Sequence, residues 1–580
     1  MPNAADDVFS LADAEPEHAL FALRDLGGRR TVTAKEFANE VVAVAKGLVT
    51  AGIRAGDRIA VMSASRYEWV LADFAIWTIG AVGVPLYVTD SAERVAWILA
   101  DSGAMAAIAE DARCSALVEP VGGPIWSIED GGLDALVAQG ASMAAESVER
   151  RRAAGLDSPA TIVYTSGTTG RPKGCLITHR NLVEAVDSIV AAEGVSESVL
   201  TPESSVLLSL PLADILARVV QLAIVRNGAL TAHAGDADLV SELREFRPTV
   251  AVTEPRALET LYHTLAREAV TAGRGRLFGA AARAAVKHSE RGGTALAHRV
   301  FDRLVYRRLR AAFGGRVTHL ICGGEPLSAR LTHFLRGVGV PVLEAYGLTE
   351  TTGPVTLHLP RAQRIGTVGR TLPGWTIRIA RDGEVRVKGP GVMRGYWRDD
   401  RSTRAAFDED DWLRTGDLGE IHDGYLSITG RRKELIVTAG GENVAPSAFE
   451  DRLRTHPLID NCVVVGDRRP FVGALITLDP DGFADWKRLR HKPPGASVTD
   501  LRTDSDLATT LQGVIDDVNH AAARTVSGTR SDAVAIKRFR VVPGRFTVND
   551  ELTPTQKIRR EHVLVKYAED VDELYRSPQR

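Results

Sequence analysis

Cysteine is scarce in this chain: four in 580 residues, at Cys114, Cys175, Cys322 and Cys462, with no Cys-x-x-Cys pair. That spacing argues against structural zinc and a disulfide framework, and it fits a reducing, cytoplasmic setting. An excess of one charge is also missing. Lys and Arg number 71 against 74 Asp and Glu, a formal net charge of −3, and no long basic run occurs. Nothing electrostatic therefore calls for a nucleic-acid partner. Long apolar runs are lacking as well. The longest, near Phe74 to Val88, is broken by Pro85, and a second, Pro211 to Val225, carries Asp214 and Arg218. Both are too short for a bilayer span and read as buried helix and strand, so no transmembrane segment is expected. The acidic start, Met1 to Asp7, has neither the basic flank nor the apolar stretch of a secretory signal.

What is present belongs to a globular protein: 44% hydrophobic and 25% charged residues, in a chain too long for one ordinary core. Thr33-Ala34-Lys35-Glu36 has the pattern of a capping box, and Phe37, Val41, Val44 and Leu48 follow at helical spacing up to Gly52. Arg58–Met62 reads as a strand, Tyr67 to Gly80 as a helix, and Val82 to Val88 as extended. The alternation recurs through Ile162-Val163-Tyr164, Ser205–Ser209 and Thr249–Val252. Such alternation predicts an α/β fold with at least one mainly parallel sheet. Residues 265–312 turn Ala- and Arg-rich with helical periodicity, and 366–430 hold many short β-like segments, Trp375–Ile379 among them. After Gly430 a second helix and strand alternation begins, with Pro493–Ser497 as a loop.

The strongest local signal is Tyr164-Thr165-Ser166-Gly167-Thr168-Thr169-Gly170-Arg171-Pro172-Lys173-Gly174, after a strand and before a helix predicted from Asn181. Glycines bring backbone amides close to a polyanion, hydroxyls add donors, and Lys173 adds positive charge. Lys173 is followed by Gly174 rather than Ser or Thr, and the Gly-to-Lys spacing differs, so this is not a Walker A loop. The plain alternative is a polar turn, which rarely packs hydroxyls, glycines and a lysine so densely.

This loop resembles the phosphate loop of the adenylate-forming superfamily, and further segments match that family in order along nearly the whole chain. The resemblance is nearest to bacterial long-chain fatty acyl-CoA ligases. It implies a large N-terminal domain, 1–430, with mainly parallel sheets flanked by helices and a β-rich subdomain. A small, mobile α+β domain, 431–580, would carry the catalytic lysine. By the same resemblance Tyr346 and Gly347 pack on adenine beside Gly324, Glu325 and Pro326, and Asp417 holds the ribose. A carboxylate suits a ribose diol because it accepts two hydrogen bonds. Glu350 and Thr165 hold Mg²⁺, Thr349 donates to phosphate, Arg431 contacts nucleotide and Lys433 is the hinge pivot. Lys557, in Leu552–Ile558, is the catalytic cation, with Lys173 supporting the phosphates. Gly440 and Gly441 line the channel for a pantetheine arm.

The implied cofactors are ATP, Mg²⁺ and coenzyme A as cosubstrate, and the implied substrate is a small-molecule carboxylic acid of medium or long chain. Alternatives are an acyl carrier protein as acceptor, an unusual polar acid, or a nucleotide-binding regulator without catalysis. A peripheral membrane contact stays open. One position departs from the family: Asp214 in Ser209–Asp214 stands where a His or an aromatic is usual. A carboxylate there must be paired, turned away or protonated, and Arg218, four residues on, is the expected partner. The rival reading makes Asp214 a hold for a polar or cationic group on the acid. Glu254 before Pro255-Arg256 departs from the pattern too.

Overall fold

Thr33 caps the helix Ala34–Thr50 as its sequence predicts: its hydroxyl accepts from the Glu36 amide, and the Glu36 carboxylate accepts from the Thr33 amide. The computed structural model describes residues 3–25, 28–149, 154–165, 171–235, 239–292, 295–522 and 535–576. Two large sheets dominate. In one, the strands Val342–Leu348, His319–Gly323, Val250–Thr253, Ser205–Leu208, Leu230–His233 and Ala19–Asp25 run parallel, in that spatial order. In the other, Pro159–Tyr164, Val82–Leu86, Arg58–Met62, Ala106–Ala109 and Ile125–Ser127 are parallel.

Strand side chains alternate between faces, and the cores follow that period. Val206, Leu208, Val250 and Val252 enter one core, while Leu207 and Ala251 enter another on the opposite face. The first core joins both sheets through Ala34–Thr50, Tyr67–Thr78, His179–Val190 and Ile215–Arg226. Tyr67–Thr78 is buried on nearly every side, as a helix apolar all round must be. The other core takes the helices Pro255–Thr271, Gly275–Arg291 and Ala329–Val338.

Beyond the parallel strands the first sheet continues as antiparallel ribbons, Gly353–Leu357, Arg370–Thr371, Tyr425–Arg431, Leu413–His422, Glu384–Lys388 and Thr376–Ile379. This is the β-rich part. From Ile436 on, a smaller α+β body folds around its own core and a three-stranded sheet, Ile459–Val465, Val472–Leu478 and Ile536–Val541. Among the described residues no helix is long and apolar enough to cross a membrane.

Two local readings change. A strand, Gly174–Thr178, stands between the hydroxyl-rich loop and the next helix, which starts at His179 rather than Asn181. The loop therefore closes a β-hairpin, because Gly174–Thr178 pairs antiparallel with Pro159–Tyr164. The helical reading of 67–80 and the extended reading of 82–88 both shorten by two residues, to Tyr67–Thr78 and Val82–Leu86.

Candidate active site

The hairpin fixes the base of the hydroxyl-rich loop. The Thr165 amide donates to the Lys173 carbonyl at 3.0 Å, and Tyr164 lies opposite Gly174. A Cβ at Gly174 would come within 2.7 Å of Ile162, so only glycine fits there. Arg94, on the helix Ala92–Ser102 capped by Ser91, donates to the Thr165 carbonyl at 3.4 Å. Ser166, Gly167, Thr168, Thr169 and Gly170 lie outside the described residues. Lys173 is described, and its ammonium sits 5.1 Å from the centre of the Tyr396 ring.

Tyr396 leads to the next piece. Its hydroxyl donates to Glu350 Oε1 at 2.8 Å, and the Met393 amide donates to the Glu350 carbonyl. Burial, with the Glu350 charge, pushes the Tyr396 phenol up and keeps it a donor. Thr165, Lys173, Tyr396 and Glu350 are thus linked in one chain of contacts. Hard cations such as Mg²⁺ prefer oxygen ligands, and the Glu350 carboxylate and Thr165 hydroxyl are of that kind.

Tyr346 and Gly347 end the strand Val342–Leu348, and Thr349 and Glu350 form the single tight turn Thr349–Thr351 after it. Gly347 is required, since a Cβ would fall 1.9 Å from the Gly353 carbonyl oxygen. The Tyr346 hydroxyl donates to Asp417 Oδ2 at 2.8 Å, and Arg431 Nε meets Oδ1 at 3.0 Å. Asp417 and Arg431 face each other across adjacent strands. Burial first, and Asp417 second, raise the Tyr346 phenol far above its usual range. Ring, carboxylate and guanidinium form one polar wall, suited to a base and a ribose diol.

Lys557 arrives from the smaller body. Its Nζ donates to the Gly324 carbonyl at 3.0 Å, 233 residues away in sequence. Gly324 adopts φ +88°, a left-handed conformation that glycine accepts without strain. The lysine loop is braced internally by Thr553, which bonds the Lys557 backbone at 2.8 and 3.0 Å. It is also tied to the larger body: Thr89 donates to the Pro554 carbonyl at 3.1 Å, and Asn549 to the Thr89 carbonyl at 2.7 Å.

Charge crosses the same junction. Arg256 meets Asp460 at 3.5 Å, and Arg267 pairs with Asp481. Glu259 feels Arg454, Asp451 and Glu325, and burial raises it to about 7; burial raises Asp451 to about 6 despite Arg454. Pro326 and Leu327 lead into the helix Ala329–Val338, beside a small cavity of about 30 Å³ whose lining mixes Tyr262, Leu331 and Phe334 with Glu259, His263 and Arg330.

Not every expected residue joins this cluster. Lys433 lies exposed in the turn Arg432–Glu434. Gly440 and Gly441 form an exposed turn whose backbone bonds close within its own hairpin, and neighbouring Ala439 bonds Arg469.

The expected pairing of Asp214 with Arg218 is wrong. Arg218 is sealed in the core, where Asp73 takes both Nε (3.0 Å) and Nη2 (2.7 Å) and Thr161 takes Nη1 (2.7 Å). Asp214 instead caps the helix Ile215–Arg226: its Oδ1 accepts from the Leu216 amide at 2.8 Å. Its Oδ2 lies 3.5 Å from the Tyr87 hydroxyl. The helix N-terminus supplies the positive end that a carboxylate needs.

Sequence reading missed Tyr396 and Arg94, both held in this cluster. Gly395-Tyr396-Trp397 is the signal that could have found Tyr396, and Arg94 has no comparable motif.

Residues 11–397 match the family described as AMP-binding enzyme, and 433–579 match its C-terminal domain. The chain is 44% identical to the long-chain-fatty-acid–CoA ligase FadD15 of Mycobacterium tuberculosis over 593 residues, covering 99% of this chain and 97% of that one. It is 30% identical to the peroxisomal long chain acyl-CoA synthetase 6 of Arabidopsis thaliana, covering 97% and 85%. Among solved structures, the A domain of a carboxylic acid reductase from Segniliparus rugosus with AMP and a co-purified carboxylic acid superposes with TM-score 0.76. Its identity is 20%, and the match covers 99% and 94% of the two chains. The O-succinylbenzoate coenzyme A synthetase of Bacillus subtilis with ATP and magnesium gives TM-score 0.68 at 23% identity, covering 97% and 99%.

Proposed function

The chain belongs to the adenylate-forming superfamily of AMP-binding enzymes, and on that premise we propose that it is a fatty acyl-CoA ligase. ATP-dependent activation of a carboxylic acid through an acyl-adenylate is its chemistry. The proposed substrate is a medium- or long-chain fatty acid, and the proposed acceptor is the thiol of coenzyme A. The observation that carries the reading is the Lys557 ammonium on the Gly324 carbonyl, between the two bodies.

In the first step a carboxylate oxygen attacks the α-phosphorus of ATP, its bond to pyrophosphate breaks, and pyrophosphate leaves. Two anions must meet, so a placed cation does most of the catalytic work. In this proposal Lys557 is that cation, with Lys173 holding the departing phosphates. Thr349 donates to phosphate. Asp417 accepts from the ribose hydroxyls, Arg431 aims that carboxylate, and Tyr346 and Gly347 form a flat wall for adenine beside Gly324, Glu325 and Pro326. Glu350 and Thr165 would hold Mg²⁺, which supplies charge neutralisation at the phosphates. In the second step the thiol sulfur attacks the acyl carbonyl, its proton is lost, and AMP leaves.

Gly440 and Gly441 are proposed to face the thiol arm only after the smaller body turns about Lys433, consistent with their place away from Lys557. The boundary between the bodies is proposed at 430/431. The test is pyrophosphate release from ATP and Mg²⁺ over a panel of acids, with and without coenzyme A. Release that depends on fatty acids and yields acyl-CoA supports the proposal. Adenylate without thioester would redirect the acceptor to a carrier protein, and no acid-dependent release would overturn it.

A further inference from the structure

Lys557 sits on a loop whose root is closed by a buried carboxylate. Glu551 is 1% exposed, and its neighbour Leu552 belongs to an apolar core with Val463, Phe546 and Val563. A charge in such a place is costly unless its oxygens find partners. Glu551 has four donors. Its Oε2 accepts from the Thr547 amide at 2.9 Å and the Thr547 hydroxyl at 3.2 Å. Its Oε1 accepts from the Lys566 ammonium at 2.5 Å and the Tyr567 hydroxyl at 2.9 Å. Burial pushes the carboxyl up, but Lys566, Thr547 and Tyr567 outweigh it, and the net shift is downward.

The two oxygens therefore reach to opposite sides of the lysine in the chain. Thr547 precedes Lys557, while Lys566 and Tyr567 follow it. Backbone bonds repeat the closure: the Arg559 amide donates to the Glu551 carbonyl at 2.8 Å, and the Leu552 amide to the Thr547 carbonyl at 3.0 Å. Between these clamps Gln556 adopts φ +59°, a left-handed conformation that a residue other than glycine keeps only where its surroundings hold it. A displacement at the root is carried to the Lys557 ammonium, which meets Gly324 at 3.0 Å. Asp550, the preceding residue, provides the contrast. It pairs with His562 and the same Lys566, but its side chain is 43% exposed. Both of those partners follow Lys557, so Asp550 does not bridge the two flanks.

We propose that Glu551 is a positioning residue for acid activation: its carboxylate clamps both flanks of the lysine loop and so sets where the Lys557 ammonium lies. It acts through Lys557 and touches no substrate, so the inference rests on the role proposed for that lysine.

The test compares Glu551→Gln, Asp550→Asn and Lys557→Ala in the full chain. An amide keeps the size of the glutamate but offers one acceptor oxygen in place of two, so one flank loosens. Two reactions are read: acid-dependent exchange of pyrophosphate into ATP, and thioester formation from synthetic acyl-adenylate and coenzyme A. Glu551→Gln is expected to lower the exchange rate at saturating ATP roughly 10- to 100-fold, as for a misplacement of about 1 Å. Its KM for ATP and its thioester rate should both stay within about twofold of the wild type. Asp550→Asn should keep both rates within about twofold, as an exposed pair allows. A fall of both reactions by the same factor would reduce Glu551 to maintenance of the fold and overturn the proposal. So would undiminished exchange in Glu551→Gln, or an equal loss in Asp550→Asn. Should Glu551→Gln not fold, Tyr567→Phe removes a single donor and should show the same split at about three- to tenfold; no split there would overturn the proposal. If the wild type makes no thioester, the division between rate and KM in exchange decides alone. Lys557→Ala separates the two readings. Exchange at the wild-type rate in that variant removes the premise, whereas a loss there without one in Glu551→Gln removes Glu551 only.

Discussion

Arg218 lies in the core with almost no exposure, its guanidinium satisfied by Asp73 and Thr161 and flanked by Trp69 and Trp77 at 5.4 and 5.2 Å. Burial pushes Asp73 up to about 6 while Arg218 pulls it down, so the carboxylate depends on this one cation. Arg218→Met should therefore destabilise the protein by about 3–5 kcal/mol, and Asp73→Leu/Arg218→Met should recover most of that loss. Urea midpoints of the two variants check this; equal loss in both would contradict it. The four-residue spacing from Asp214 to Arg218 suggested a helix pair, but burial decided otherwise. Asp73 is 145 residues away in sequence and reaches Arg218 inside the core, a contact that periodicity cannot show. Asp214 is left with the helix amide and Tyr87. Asp214→His should then leave the order of preference among plain, amino- and hydroxy-substituted acids unchanged. A wild-type preference for substituted acids that the variant loses would restore the rival reading.

At the scale of elements, caps and strands were legible where one local cause sufficed. Thr33 and Glu36 fix a helix start from four residues, and Arg58–Met62 forms the strand its side chains suggest. Gly174–Thr178 was not legible, because five residues after a glycine-rich loop carry too little pattern to separate strand from helix entry. Its pairing is what sets the hydroxyl-rich loop at a hairpin end. The strand Gly395–Tyr396 is shorter still and pairs with Gly174–Thr178, which carries Tyr396 to Glu350. Tyr396→Phe removes one hydrogen bond to a charged group, a loss of about 1.5–3 kcal/mol. Adenylate formation should fall roughly 10- to 100-fold, with a larger effect at low Mg²⁺, as read by pyrophosphate exchange across a magnesium titration. An unchanged rate at every magnesium concentration would remove Tyr396 from the site.

For the whole molecule, the decisive feature is how the smaller body meets the larger one. Family motifs in order pointed to Tyr346, Asp417, Arg431 and Lys557, and the structure gathers the first three into one hydrogen-bonded wall. The junction partners Arg256, Glu259, Arg267, Asp451 and Asp460 carried no sequence signal, because opposite charges on segments far apart in sequence pair only once the bodies dock. Glu259 and Asp451 are both raised by burial, to about 7 and about 6. Groups raised in this way favour the docked arrangement when protonated, so their contribution is present at low pH and is lost as pH rises through about 6 to 7. Proteolysis of the segment around Lys433 should accelerate across that window, and Glu259→Gln should flatten the profile; a pH-independent cleavage rate in the wild type would contradict this. The central claim is that Lys557, delivered by the smaller body to Gly324, drives acid activation. Acid-dependent exchange of pyrophosphate into ATP, wild type against Lys557→Ala, tests it most directly. The account predicts clear exchange in the wild type and a loss on the order of 100- to 1000-fold in the variant with nucleotide binding retained; exchange at the wild-type rate in Lys557→Ala would contradict it.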